Sequence, residues 1–382
     1  MSNAFGSGRP LSLGDKLWRV HWPVILIAAA IASIGAAALY SVSGGSFQPW
    51  AERHALRFLI AVAIVLGMSM VRPELWLRLA YPAYGLALVA LALVPVMGVE
   101  ALGAKRWLGV GGMTFQPSEL MKLALAGALA RYYQWLPFER LSHPVPVLVP
   151  LVMIAVPVAL TLRQPDLGSA VLFAVLGLAL MFMAGVSIFY FLAGLGGGIA
   201  AMPLIWNNMH DYQRRRVEIF LDPDLDPLGS GYHIAQSKIA IGSGGVSGKG
   251  FLQGTQSQLD FVPEKHTDFI LTILGEEWGF AGLLVLLGLY ALMLAMIMSM
   301  AWRCQSRFGR MLVAGVTVSL FVYVFINVAM VTGLVPVVGI PLPLVSYGGT
   351  SMMTLMIGLG LAMSAYVHRD ENIRRKEIGL FW

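Results

Sequence analysis

A chain of 382 residues that is 58% hydrophobic and only 12% charged, with a mean hydropathy of +0.74, has too little polar surface to fold as one water-soluble globule. Lipid must coat it instead, so the formal net charge of +6 is a matter of which loops carry it and not of nucleic-acid affinity. The single cysteine, Cys304, excludes an internal disulfide and, beside Arg303, Arg307 and Arg310, suits an intracellular loop.

A helix needs about 20 mostly apolar residues to cross the hydrocarbon. Runs of that kind predict spans over 20–42, 54–71, 75–98, 117–133, 145–162, 167–185, 187–207, 267–301, 308–333 and 346–367. The expected fold class is an all-α polytopic membrane protein of about ten transmembrane helices, residues 1–382 forming one integral membrane domain. The first run is long enough to remain as a span and not a cleaved signal. Residues 208–266 form the one sizeable polar loop, between spans seven and eight. Lys and Arg outside that loop favour the side holding Arg9, Lys16, Arg72, Arg78, Arg303, Arg307 and Arg310. The positive-inside rule then places both termini in the cytoplasm and loop 208–266 outside. The run 267–301 is too long for a plain crossing, so it projects beyond the hydrocarbon or bends near Gly275 or Gly279.

Charge gathers at three places on the outer side. In "GAKRWLGVGGMTFQPSELMKL", Pro117 suits the first turn of a helix, and Glu119 with Lys122 at i, i+3 can pair on one face. The pair is either a structural clasp or a functional one, since intramembrane charge is costly. Lys105 and Arg106 read equally as a membrane-surface anchor and as an anion site. In "RQPDLGSA", Asp166 is placed to cap the following helix. Within the long loop, Arg214, Arg215 and Arg216 form a cationic run, which in general is a solvated or headgroup-binding face. "YHIAQSKIAIG" has loose helical periodicity and could lie flat on the membrane. "IGSGGVSGKG" fails the phosphate-loop pattern and reads as flexible backbone.

The third place ends in "PEKHTDFILTILGEEWG". Asp268 stands where the eighth span begins, and partial burial there would raise its pKa and make it a better base. On an ideal helix Glu276 and Glu277 do not share its face, so spacing does not support a paired-carboxylate mechanism. His266 is either a proton relay or a plain polar contact. The dispersed histidines give no transition-metal cluster; the sequence requires no cofactor and leaves room for a divalent cation.

"GTQSQLDFVPEKHTDFILTILGEEWG", "GAKRWL…FQPSELMKL", "QPDLGSA" and "PLPLVSYGGTSM" closely resemble motifs of the bacterial SEDS proteins (shape, elongation, division and sporulation), in the same order. "GTQSQLDF" and the short tails are most similar to the elongation branch. The resemblance covers Trp18 to Arg369, with Trp278 and Val262 standing where leucine is commoner. It implies a ten-helix peptidoglycan polymerase of the cytoplasmic membrane acting on lipid II, and a class B penicillin-binding protein as partner. It places the family's essential aspartate on Asp268, its buried acid and lysine on Glu119 and Lys122, and a second outer aspartate on Asp166. The residues add Lys105, Arg106 and Arg214–Arg216 as candidate holders of the leaving pyrophosphate. The competing classes are a lipid II transporter and a non-catalytic scaffold; acids clustered at one outer rim favour the enzyme.

Overall fold

The computed structural model describes residues 11–101, 104–110, 113–209, 211–222, 225–226, 229–259, 264–371 and 373. After a short helix α1 (Leu13–Arg19), apolar sequence forms α2 (Trp22–Val42), α3 (Ala51–Ser69) and α4 (Pro73–Met97). A small antiparallel sheet follows, β1 (Val99–Ala101), β2 (Ala104–Val110) and β3 (Met113–Phe115), with β2 in the middle. Next come α5 (Pro117–Trp135), α6 (Pro144–Leu162), α7 (Leu167–Ala184), α8 (Ile188–Ala200) and α9 (Met202–Asn208). The long interhelical segment holds α10 (Asp211–Leu221), α11 (Ser230–Ser243) and α12 (Thr255–Gln258), and the chain closes with α13 (Ile270–Arg303), α14 (Arg307–Val331) and α15 (Gly349–Val367).

Each expected span has its counterpart. Seven helices are long and apolar enough to cross a membrane on their own, and α8 with α9 makes an eighth as a pair bent by 50°. The other two, α3 and α5, carry Glu52, Arg53 and Arg57, and Glu119, Lys122 and Arg131. They hold their places through packing: α5 buries Met121, Leu125, Ala128 and Leu129 against α4, α7 and α14. The sheet between α4 and α5 was not foreseen: β1 and β3 have three residues each, and β2 does not alternate apolar with polar.

Two apolar cores flank α14. One joins α14 to α2, α3, α13 and α15; the other joins it to α4, α5, α6 and α7. Accordingly α14 is buried along most of its length, from Phe308 to Val331.

The bend expected near Gly275 or Gly279 lies at Gly279, whose φ of 66° and ψ of −168° interrupt α13. A helix break leaves carbonyls on one side and N–H groups on the other without partners. Here the segment 245–250 supplies them. Lys249 and Gly250 N–H donate to the Glu276 and Glu277 carbonyls, both at 3.0 Å, and Phe280 and Ala281 N–H donate to Gly245 and Val246 carbonyls at 2.9 and 3.0 Å. The glycines permit this approach: a Cβ on Gly248 would stand 2.1 Å from the Glu277 carbonyl oxygen. The reading of "IGSGGVSGKG" as flexible backbone is therefore corrected, because its backbone groups cap the broken helix. Similarly α11 does not stand apart as a surface helix; Ile234, Ser237 and Ala240 are buried along α13 and α14.

Candidate active site

A cavity of about 580 Å³ opens at one end of the bundle. Helices α5, α7 and α15 begin at its wall, and α13 begins two residues after Asp268, so several positive helix ends converge there. Arg57 from α3, Arg106 from β2, Glu119 and Lys122 from α5, Asp166 before α7, and Asp268 before α13 all line it. Arg106 donates to the Pro165 carbonyl, tying the sheet to the turn before α7.

Glu119 and Lys122 form a buried ion pair of 2.7 Å. Tyr323 of α14 donates to both Glu119 oxygens at 2.7 Å, touches the Lys122 ammonium, and offers its ring face to that ammonium at 4.3 Å. Burying two charges seldom adds net stability over apolar packing, so the triad is better understood through the cavity floor it forms than through fold stability. Asp166 caps α7 by accepting from Ser169 N–H at 3.1 Å, and its second oxygen accepts from Gln116 at 3.4 Å.

Asp268 is only part-exposed. Burial, reinforced by Glu264 and opposed by Arg106, pushes its pKa up to about 6. Its turn is held by three successive backbone acceptors. The His266 carbonyl accepts from Tyr347 N–H at 2.9 Å, that of Thr267 from Ser346 Oγ at 2.5 Å, and that of Asp268 from Asn327 Nδ2 at 2.9 Å. The His266 ring stacks on Trp50 at 4.7 Å, and burial holds its pKa below the ordinary imidazole value. That leaves the ring neutral and packed.

Other candidates lie elsewhere. Lys105 is exposed and lines no part of the cavity. Arg214 and Arg215, on α10, line a separate cavity of about 400 Å³ with Asp211 and Glu218, and Arg214 donates to the Trp206 carbonyl at 3.0 Å. The reason is that α10 packs on α11 instead of reaching the site. The Arg216 side chain lies outside the described residues. Glu276 and Glu277 fix neighbouring elements: Glu276 pins the long segment by pairing with Lys249 at 2.6 Å, and Glu277 accepts from Ser41 of α2. Among the described residues, no three His, Cys, Asp or Glu side chains group as a metal-ligand set.

Sequence reasoning missed Arg57, Tyr323 and Asn327. Arg57 lies in the cavity wall with its guanidinium 4.8 Å from the centre of the Tyr347 ring. A charge or amide within an apolar run is a signal in its own right and would have singled out Arg57 and Asn327. Tyr323 carries no such mark.

Fold and site together define a polytopic membrane protein with an acid–base cavity at one helix-bundle end. The chain belongs to the cell cycle protein family of FtsW, RodA and SpoVE, whose model matches residues 20–371. It is 44% identical over 353 residues to the peptidoglycan glycosyltransferase MrdB of Escherichia coli K12, covering 91% of this chain and 93% of that one. It is 34% identical to a probable peptidoglycan glycosyltransferase FtsW of Trichlorobacter lovleyi, covering 89% and 91%. Among solved structures, it is similar to a chain of a peptidoglycan synthase complex that coordinates polymerization and crosslinking, with TM-score 0.80 and 33% identity over 92% of this chain and 98% of that one. It is also similar to the rod shape determining protein RodA of Thermus thermophilus, with TM-score 0.69 and 28% identity over 92% and 98%.

Proposed function

We propose that this protein is a peptidoglycan glycosyltransferase that polymerises lipid II at the outer face of the cytoplasmic membrane, with Asp268 as general base. The acceptor's sugar 4-hydroxyl oxygen forms a bond to the donor's anomeric carbon while the bond from that carbon to the pyrophosphate oxygen breaks. The hydroxyl proton passes to the Asp268 carboxylate, the electron pair leaves with undecaprenyl pyrophosphate, and the anomeric centre inverts. Negative charge grows on the leaving group and calls for fixed cations. Arg106 and Arg57, both in the cavity wall, are better placed for this than Lys105, Arg214 or Arg215. Glu119, Lys122 and Asp166 shape the substrate-binding floor.

The observation that carries this reading is one carboxylate of raised basicity sharing a cavity with Arg106, which arrives from another part of the chain. In this reading residues 1–382 act as one membrane domain with residues 208–266 on the outer side and both termini in the cytoplasm. The partner is a class B penicillin-binding protein that cross-links the new strands.

The test uses reconstituted protein and labelled lipid II on the outer leaflet alone. Asp268→Asn binds lipid II and loses polymerisation by about 10²–10⁴-fold. Wild-type rates from this variant would end the assignment, and label crossing the bilayer without polymer would indicate a transporter.

A further inference from the structure

Asn327 is fully buried in α14. Its amide nitrogen donates to two carbonyls that are distant in sequence, Asp268 at 2.9 Å and Ile340 at 2.7 Å. Its oxygen has no partner among the described residues. Both N–H groups are thus spent on one bridge, and a flipped amide would set oxygen against two carbonyl oxygens. A buried acceptor left empty costs stability, so an apolar residue would serve packing better here. The bridge joins the turn that carries Asp268 to residues 339–340. At that second point Gly339 has φ +72°, and a Cβ built on it would stand 3.3 Å from Asp268 Oδ2. The amide therefore holds the backbone of the Asp268 turn, and the glycine turn passes close beside the carboxylate tip.

We propose that Asn327 is a positioning residue: by bracing the Asp268 turn against the Gly339 turn, it fixes how deeply the Asp268 carboxylate stands in the cavity. The catalytic meaning of this rests on Asp268 being the base; the bracing itself does not. The charged groups facing the carboxylate are Glu264 on the same turn, Arg106 on β2, and Glu119 with Lys122 on α5. Asp166 before α7, Arg57 on α3 and the Tyr323 phenol complete the wall. None of these contacts Asn327 by a hydrogen bond, so its removal acts through depth and not through a lost charge.

The test reads the carboxylate directly. Full-length protein in detergent is labelled with a carbodiimide and an amine, which modify protonated carboxyls, and Asp268 modification is followed by mass spectrometry across the acid range. In wild type the midpoint falls at about 6. In Asn327→Ala the carboxylate rises toward water and the midpoint drops by about one pH unit. Polymerisation falls by about 10–100-fold as the base leaves its position. Gly339→Ala, which sets a methyl against the carboxylate tip without touching α14, moves the midpoint upward by excluding water from the ionised form and carries the test should Asn327→Ala fail to fold. A merely structural role would lower the melting temperature of both variants and leave the midpoint unmoved, and that result overturns the proposal. A moved midpoint in a protein whose Asp268→Asn form stays active upholds the bracing and removes the base assignment instead.

Discussion

Asp268 joins burial to chemistry at the scale of one side chain. A carboxylate titrating at about 6, not at its ordinary 3.8, is held there by burial and by Glu264 against the pull of Arg106. A base must be deprotonated to act, so polymerisation should fall with pH and reach half its plateau near pH 6, as a rate profile of reconstituted protein would show. The linkage has a definite sign. Between 3.8 and about 6 the folded state binds more protons than the unfolded one, so the ionised Asp268 withdraws stability as pH rises through that window. Asp268→Asn should therefore melt at a higher temperature than wild type near neutral pH, and a lower one would contradict the burial. Sequence foresaw the direction of this shift from the residue's place at a span boundary. It did not foresee the clamp on three consecutive carbonyls, because Asn327, Ser346 and Tyr347 come from regions 59 to 81 residues away along the chain.

The broken helix α13 shows what one element needs from its neighbours. The sequence signalled a break through length alone, and glycine at 275 or 279 marked where it could fall. Which glycine was used depended on segment 245–250, whose N–H and C=O groups satisfy two carbonyls and two N–H groups at the break. The same segment looked flexible because its glycines were read without the partner that requires them. A graded alanine series tests this. Gly248→Ala adds a Cβ 2.1 Å from a backbone oxygen at φ +79°, strain on the order of 1–3 kcal/mol or more. Gly245→Ala has a φ of +56° and open space, and should cost about 1–2 kcal/mol. Gly242→Ala, with open space and helical backbone, should be neutral or slightly stabilising. Thermal unfolding in detergent should rank the three in that order; equal losses would mean the clip is not what the glycines serve.

For the molecule as a whole, the cavity is a place where chain segments far apart meet. Arg57 comes from α3 and Arg106 from β2, yet both line one wall with Asp268. Held to one leaving pyrophosphate, they should act together. Arg57→Gln and Arg106→Gln should each slow polymerisation at unchanged folding, and the double variant should depart from additivity by about 0.5–3 kcal/mol in a kinetic cycle. Strict additivity would place them on separate groups. The sequence by itself determined the membrane class, the ten apolar stretches and the acids at one rim, because hydropathy and helix length act along the chain. It also marked Glu119 and Lys122 through the expense of charge beside lipid and Asp268 through its place at a span boundary, while Asp166 entered through the family resemblance. Only the tertiary structure decided which cations joined them, bringing in Arg57 and leaving out Lys105, Arg214 and Arg215, because a cavity wall is set by how helices pack and not by residue order.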